Sequence, residues 1–183
     1  MKPSPLRVAA LACLFLIACS KEEPVTEADK AVVLRAAELA RFGYRFDNIE
    51  ALETFTKTRH LDGTSEIEYR FQSPPGAKVL FLHVSVKVGK NESDAAFTQG
   101  AEKVGLAIGF KKSGVEEREL PAPPAGKLSL LVKDERPIGN IFTASDGGKT
   151  FLLVMSGLYF DDPALWQKVI EPSMSRFRAY QAL

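Results

Sequence analysis

The sequence predicts an α+β fold in which an antiparallel sheet of about six strands, near the usual sheet size, packs with helices. Three patterns carry that expectation. Residues 66–71, Glu-Ile-Glu-Tyr-Arg-Phe, alternate strictly, so Ile67, Tyr69 and Phe71 share one face of a half-buried strand. Two apolar runs, 140–144 and 150–155, flank Ser145-Asp146-Gly147-Gly148, a hairpin signal. Asp161-Asp162-Pro163 then precedes Trp166, Val169 and Ile170. This reads as a helix with Asp162 as N-cap, Pro163 in the first turn and a buried face behind them.

The elements follow in chain order. Thr26-Glu27-Ala28-Asp29 reads as a helix start, with Thr26 as N-cap and an acid three positions on. Val32, Val33, Ala36, Leu39 and Ala40 give its apolar stripe, and Gly43 is the expected stop. Residues 49–59 form the partner of the 66–71 strand, across a turn containing Asp62-Gly63. Ser73-Pro74-Pro75-Gly76 ends this hairpin. In 79–88, Leu80, Leu82, Val84, Val86 and Val88 share a face, while Val79 and Phe81 opposite give way to Ser85 and Lys87. That strand is expected to be covered on both faces at its start and more exposed at its end.

Ser93 is placed to cap a helix carrying Phe97, Ala101, Val104 and Ile108 at helical spacing. Gly100, Gly105 and Gly109 weaken it intrinsically, and a close approach of its backbone to the sheet is their expected use. Their spacing matches neither nucleotide-binding glycine motif. Residues 121–126 form a Pro/Ala-rich connector. A strand over 128–133 and the 140–155 hairpin complete the sheet. Pro172 is expected to restart or kink the last helix, whose stripe continues to Phe177.

The N-terminus has a different character. Lys2 and Arg7 precede an apolar run over 8–16, and Leu16-Ile17-Ala18-Cys19 closes it, which is the layout of an export signal. A membrane-spanning helix needs about 20 apolar residues. This run has about half of that and is followed at once by Lys21, Glu22 and Glu23, so length and flanks favour a cleaved leader over an uncleaved anchor. The four residues resemble the lipobox of bacterial lipoproteins at every position. The resemblance implies cleavage before Cys19, a diacylglyceryl group on its sulfur and an acyl group on its new amine. One acyl chain holds a protein only marginally, while three hold it permanently, each buried methylene adding about 0.8 kcal/mol. The expected organisation is therefore a signal peptide over 1–18, a lipidated tether over 19–25 and one domain over 26–183.

With Cys13 in the leader and Cys19 carrying lipid, the mature domain holds no further cysteine. It has no thiol for a disulfide, a nucleophile or a metal site, and must be held by packing. The net charge of +1 falls to about −1 without Lys2 and Arg7. This gives no electrostatic case for nucleic acid. Arg35, Arg41 and Arg45 fall near the lipid end, where they could meet anionic head groups or form a solvated helix face, which is the reading we favour.

No convergent catalytic set is visible. His83 lies mid-strand and reads as a hydrogen-bonded or exposed side chain, and His60 before its turn reads as solvated. Two isolated histidines supply no metal site. Asp161-Asp162 is accounted for by helix capping, and Asp134-Glu135 by a turn before Pro137. Ser156-Gly157 lacks the remainder of a nucleophile elbow. Leu158-Tyr159-Phe160 reads as packing for the last helix, with a pocket rim or partner surface as the alternative. No catalytic residue, cofactor or metal is therefore expected, and Cys19 is the one modification site.

The order of elements across 44–177, with the closing hairpin and capped helix over 141–177, resembles the PsbP-like α/β/α sandwich, an architecture that small bacterial lipoproteins related to DcrB share. That resemblance implies a non-enzymatic accessory or scaffold protein and carries over no functional residue. The expected function is a non-catalytic binding or assembly role in the envelope, with an envelope protein as partner. The alternatives are an immunity or inhibitor lipoprotein binding a toxin or hydrolase in the periplasm, and an enzyme with an unrecognised site. Ser20 after the lipidated cysteine favours sorting to the outer membrane, facing the periplasm; Lys21 leaves the inner membrane open.

Overall fold

The computed structural model describes residues 20–42, 44, 52–61, 63–72, 81–89 and 104–181. Among them is one antiparallel sheet of eight strands, in the order β1-β2-β3-β4-β8-β7-β6-β5. The strands are β1 (Lys21–Glu23), β2 (Leu52–Arg59), β3 (Ser65–Gln72), β4 (Phe81–Val88), β5 (Val115–Glu119), β6 (Lys127–Lys133), β7 (Arg136–Asp146) and β8 (Lys149–Ser156). Helices α1 (Glu27–Val32), α2 (Ala36–Leu39), α3 (104–113) and α4 (Pro163–Ala179) complete the α+β fold.

Eight strands stand where about six were expected, and the two additions are the sheet edges. Lys21–Glu23 lies within the segment expected as a tether, yet it pairs with Arg59, Thr58 and Lys57 of β2. Val115-Glu116-Glu117-Arg118-Glu119 pairs with β6. Both are charged and carry no apolar alternation. Edge strands are covered on one side at most, and charge on them discourages pairing between chains.

Alternation sorts the sheet into two faces. Ile67, Tyr69 and Phe71 of β3, Leu82, Val84 and Val86 of β4, and Phe151, Leu153 and Met155 of β8 enter the main core. That core is closed by α1, α2 and α4. Its aromatic spine runs through Trp166, which lies 5.4 Å from the Phe142 ring and 5.2 Å from Phe160. On the opposite face Leu131, Ile141, Leu152 and Val154 form a smaller cluster against Leu106 and Phe110 of α3. The continuous run Leu152-Leu153-Val154-Met155 is thus covered on both sides, as its sequence predicts.

The N-terminal helix is shorter than its stripe implies. Thr26 caps it through a reciprocal pair with Asp29, but it ends at Val32, and Val33 is extended. Val32, Val33 and Leu34 are all fully buried. Three successive residues cannot share one helix face at 3.6 residues per turn, and β-branched valines favour extended backbone. Breaking the helix sends all three into the core, and α2 restarts after Arg35.

In α4 the expected features are present. Asp162 accepts from the Ala164 N–H at 2.8 Å, and Trp166, Val169, Ile170 and Phe177 are buried. The helix runs on through Pro172 with no restart. Phe160 packs on Trp166, while Tyr159 is exposed. The segment leading into α4 is held by Asn140, which is fully buried. Its Oδ1 accepts from the Phe160 N–H at 2.6 Å, and its Nδ2 donates to the carbonyls of Phe160 at 2.9 Å and Ser129 at 3.2 Å. Asn140→Ala leaves three buried backbone groups without this partner, and unsatisfied buried groups cost about 1–3 kcal/mol each. Chemical denaturation is expected to show a loss of about 2–3 kcal/mol, short of the full sum because the freed groups can be partly rehydrated.

Candidate functional site

The second face of the sheet carries the polar side chains. Register places Glu66 opposite Lys87, Glu68 opposite Ser85 and Arg70 opposite His83. Strand periodicity turns all six to the side away from Tyr69 and Val84. Instead of becoming exposed toward its end, β4 buries Ser85 and Lys87.

Glu66 is the hub of this cluster. Its carboxylate accepts from Ser85 Oγ at 2.9 Å, lies 3.1 Å from His60 Nε2 and pairs with Lys87 Nζ at 3.2 Å. Burial alone would raise its pKa. The Lys87 charge, followed by hydrogen bonds from Ser85, His60 and Lys87, outweighs burial and holds the carboxyl below its ordinary value. His60 is therefore a half-buried partner of Glu66 and not the solvated side chain expected from its place before a turn.

Beside this cluster lies a cavity of about 300 Å³, lined by Glu68, Phe81, His83, Gly105, Leu106, Leu152 and Val154. Leu152 and Val154 form its floor from β8, α3 supplies Leu106, and His83 and Glu68 supply its polar groups. Burial lowers the His83 pKa and Arg70 adds to the shift, while Glu68 and Glu66 oppose it. The imidazole is accordingly neutral at pH 7 and can both donate and accept. Its Nε2 lies 4.0 Å from Glu68 Oε1, too far for a hydrogen bond, and Arg70 engages the other Glu68 oxygen at 2.9 Å. Among the described lining residues none bears a hydroxyl or thiol. The chemistry of the described lining suits an apolar group with a polar end.

The described part of the helix expected to begin at Ser93 meets this site differently from its stripe. Val104 and Ile108 are 61% and 54% exposed, while Leu106 and Phe110 pack on the sheet. A Cβ added at Gly105 or Gly109 would meet nothing within 4 Å, so close backbone approach is not their use. Ser93, Phe97, Gly100 and Ala101 lie outside the described residues.

The arginines near the N-terminus fall on the other side of the molecule. Arg35, Arg41, Lys30, Arg176 and Glu38 line a cleft of about 290 Å³ over α1 and α2. Arg35 pairs with Glu53 at 3.4 Å and stands over the Phe55 ring, and Arg176 pairs with Glu38 at 2.6 Å. Much of this positive charge is thus neutralised within the fold. Arg45 and Cys19 lie outside the described residues.

Among the described residues no group of three or more His, Cys, Asp or Glu side chains could hold a metal ion, and no helix is long and apolar enough to cross a membrane. No protein-family model, curated protein or solved structure matches the chain.

Proposed function

We propose that this chain is a lipid-anchored bacterial envelope protein whose domain works by binding and not by turnover. The observation that carries the reading is the complete lipobox, Leu16-Ile17-Ala18-Cys19, directly ahead of a domain whose first strand begins at Lys21. The anchor holds the domain at the outer membrane, facing the periplasm, where its partner is an envelope protein. Helices on both faces of the antiparallel sheet support a PsbP-like α/β/α sandwich of the kind found in lipoproteins related to DcrB, and with it an accessory role. The largely apolar lining that the described residues give the cavity beside His83 supports a binding site for an apolar group.

The test separates anchor from cavity. Cys19→Ala is expected to move the protein out of the detergent-extracted membrane fraction. In a deletion strain, His60→Ala and His83→Ala are expected to restore function, because the cavity's grip is apolar. Gly105→Leu adds bulk at the rim of the cavity, at a position where an added Cβ meets nothing, and is expected to fold but fail to complement. Loss of function in His83→Ala alone, with folding and location intact, would replace the binding reading with a catalytic or ligand-sensing one.

A further inference from the structure

Ser20 alone separates Cys19 from β1. Two residue steps span at most about 7 Å, so a lipid on Cys19 brings Lys21 to the headgroup layer. In the sheet Lys21 pairs with Arg59, the last residue of β2. The chain then turns through His60 and Leu61 into β3. Across it the His60 N–H donates to the Thr64 carbonyl and the Gly63 N–H to the His60 carbonyl, each at 2.9 Å. Leu61 nevertheless stands 73% exposed at its tip.

We propose that this end of the sheet is a membrane-docking surface, with Leu61 set into the boundary between headgroups and acyl chains and Lys21 and Arg59 facing anionic lipid phosphates. The proposal rests on the lipid-anchor reading of Cys19. An apolar tip with basic flanks is the chemistry that interfacial segments use. The nearest described acids do not cancel it. Glu66 is engaged by His60, Ser85 and Lys87, and Glu22 sits one pair further up the sheet, opposite Thr58. Asp62 lies outside the described residues. The short leash makes the attachment directional, because a strand hydrogen-bonded to β2 cannot swivel as a flexible linker does.

The opposite end of β2 supplies an internal control. Leu52 is 71% exposed and lies about 23 Å from Arg59 along the strand, at roughly 3.3 Å per residue. Lipidated full-length protein carrying Leu61→Cys or Leu52→Cys holds one free thiol, because Cys13 leaves with the leader and the Cys19 sulfur carries the lipid. Each variant would be labelled with bimane and reconstituted in vesicles of phosphatidylethanolamine and phosphatidylglycerol at 3:1, with a shallow spin-labelled lipid as quencher. Quenching at position 61 is expected to exceed that at position 52 several-fold. Lys21→Glu with Arg59→Glu is expected to bring the two closer. Equal quenching, from a domain lying along its β1 edge or tumbling freely, would overturn the docking end. The mass of the same sample distinguishes the two failures: lipid present with equal quenching overturns the docking surface alone, and an unlipidated N-terminus overturns both readings.

Discussion

Trp166→Ala is expected to destabilise the domain by about 3–5 kcal/mol, the range for deleting a fully buried aromatic side chain. The indole is wholly buried, wedged between Phe142 of β7 and Phe160 of the segment ahead of α4. Its loss opens the main core where helix, sheet and connecting segment meet. Among the described residues its Nε1–H has no acceptor, so packing and not hydrogen bonding makes Trp166 valuable, and Trp166→Phe is expected to cost less. In a chain beginning at Ser20 the alanine change should lower the melting temperature by roughly 6–20 °C, at 2–4 °C per kcal/mol for a domain of this size. Lys168→Ala, on the exposed face of the same helix, should stay within about 0.5 kcal/mol. A surface-like response at Trp166 would mean that α4 presents a different face to the sheet.

The second large effect is expected at Asp29. This fully buried carboxylate closes the Thr26 cap, accepts from the Tyr180 hydroxyl and pairs with Lys57 Nζ at 3.3 Å. Lys57 is itself buried, with Glu23 as a more distant partner at 3.9 Å. Removing one member of a buried pair costs about 3–5 kcal/mol, because the other charge stays uncompensated. For Asp29→Ala the lower end, about 3 kcal/mol, is expected, since Glu23 remains.

The same site sets a pH dependence. Burial would raise the Asp29 pKa, but hydrogen bonds from Tyr180 and Thr26, together with the Lys57 charge, hold it below its ordinary value of 3.8. A carboxyl depressed on folding contributes stability that is present above its unfolded pKa and lost as pH falls through its folded pKa. Urea midpoints measured from pH 7 downward should therefore show wild type and Asp29→Asn well separated at neutral pH. The separation should narrow below about pH 4, where the unfolded carboxyl takes up its proton. A constant gap down to pH 2.5 would mean that Asp29 is not held in its charged form by the fold.

The parts of the fold legible in the sequence were those with a single buried face. Ile67, Tyr69 and Phe71 alternate because one side of β3 meets the core, and Gly147 and Gly148 take positive φ at the hairpin where the sequence places them. The edges β1 and β5 were hidden because their charged residues show no apolar alternation, and what places them is the backbone pairing to β2 and β6. The break after Val32 was hidden because a helical stripe and a run of three buried residues overlap in the same letters. Asp134 and Glu135 gave a turn, as expected, although both adopt the positive φ that glycine usually supplies.

The candidate site was not legible. Its cavity draws on β3, β4, α3 and β8, which no local spacing connects. The alternation of Phe81, His83, Ser85 and Lys87 did mark a second face of β4. What alternation cannot carry is that Leu152 and Val154 of a neighbouring strand complete that face and α3 roofs it. His60 shows the same limit: its partner Glu66 is close in sequence, but only the β2–β3 register brings the two within 3.1 Å.

The lipid on Cys19 is the premise for both the location of the domain and its docking end, and the intact mass of protein extracted from membranes tests it most directly. The expected result is a chain that begins at Cys19 and is heavier by a diacylglyceryl group and one acyl chain. An unmodified Cys19, or cleavage at another bond, would contradict the anchor.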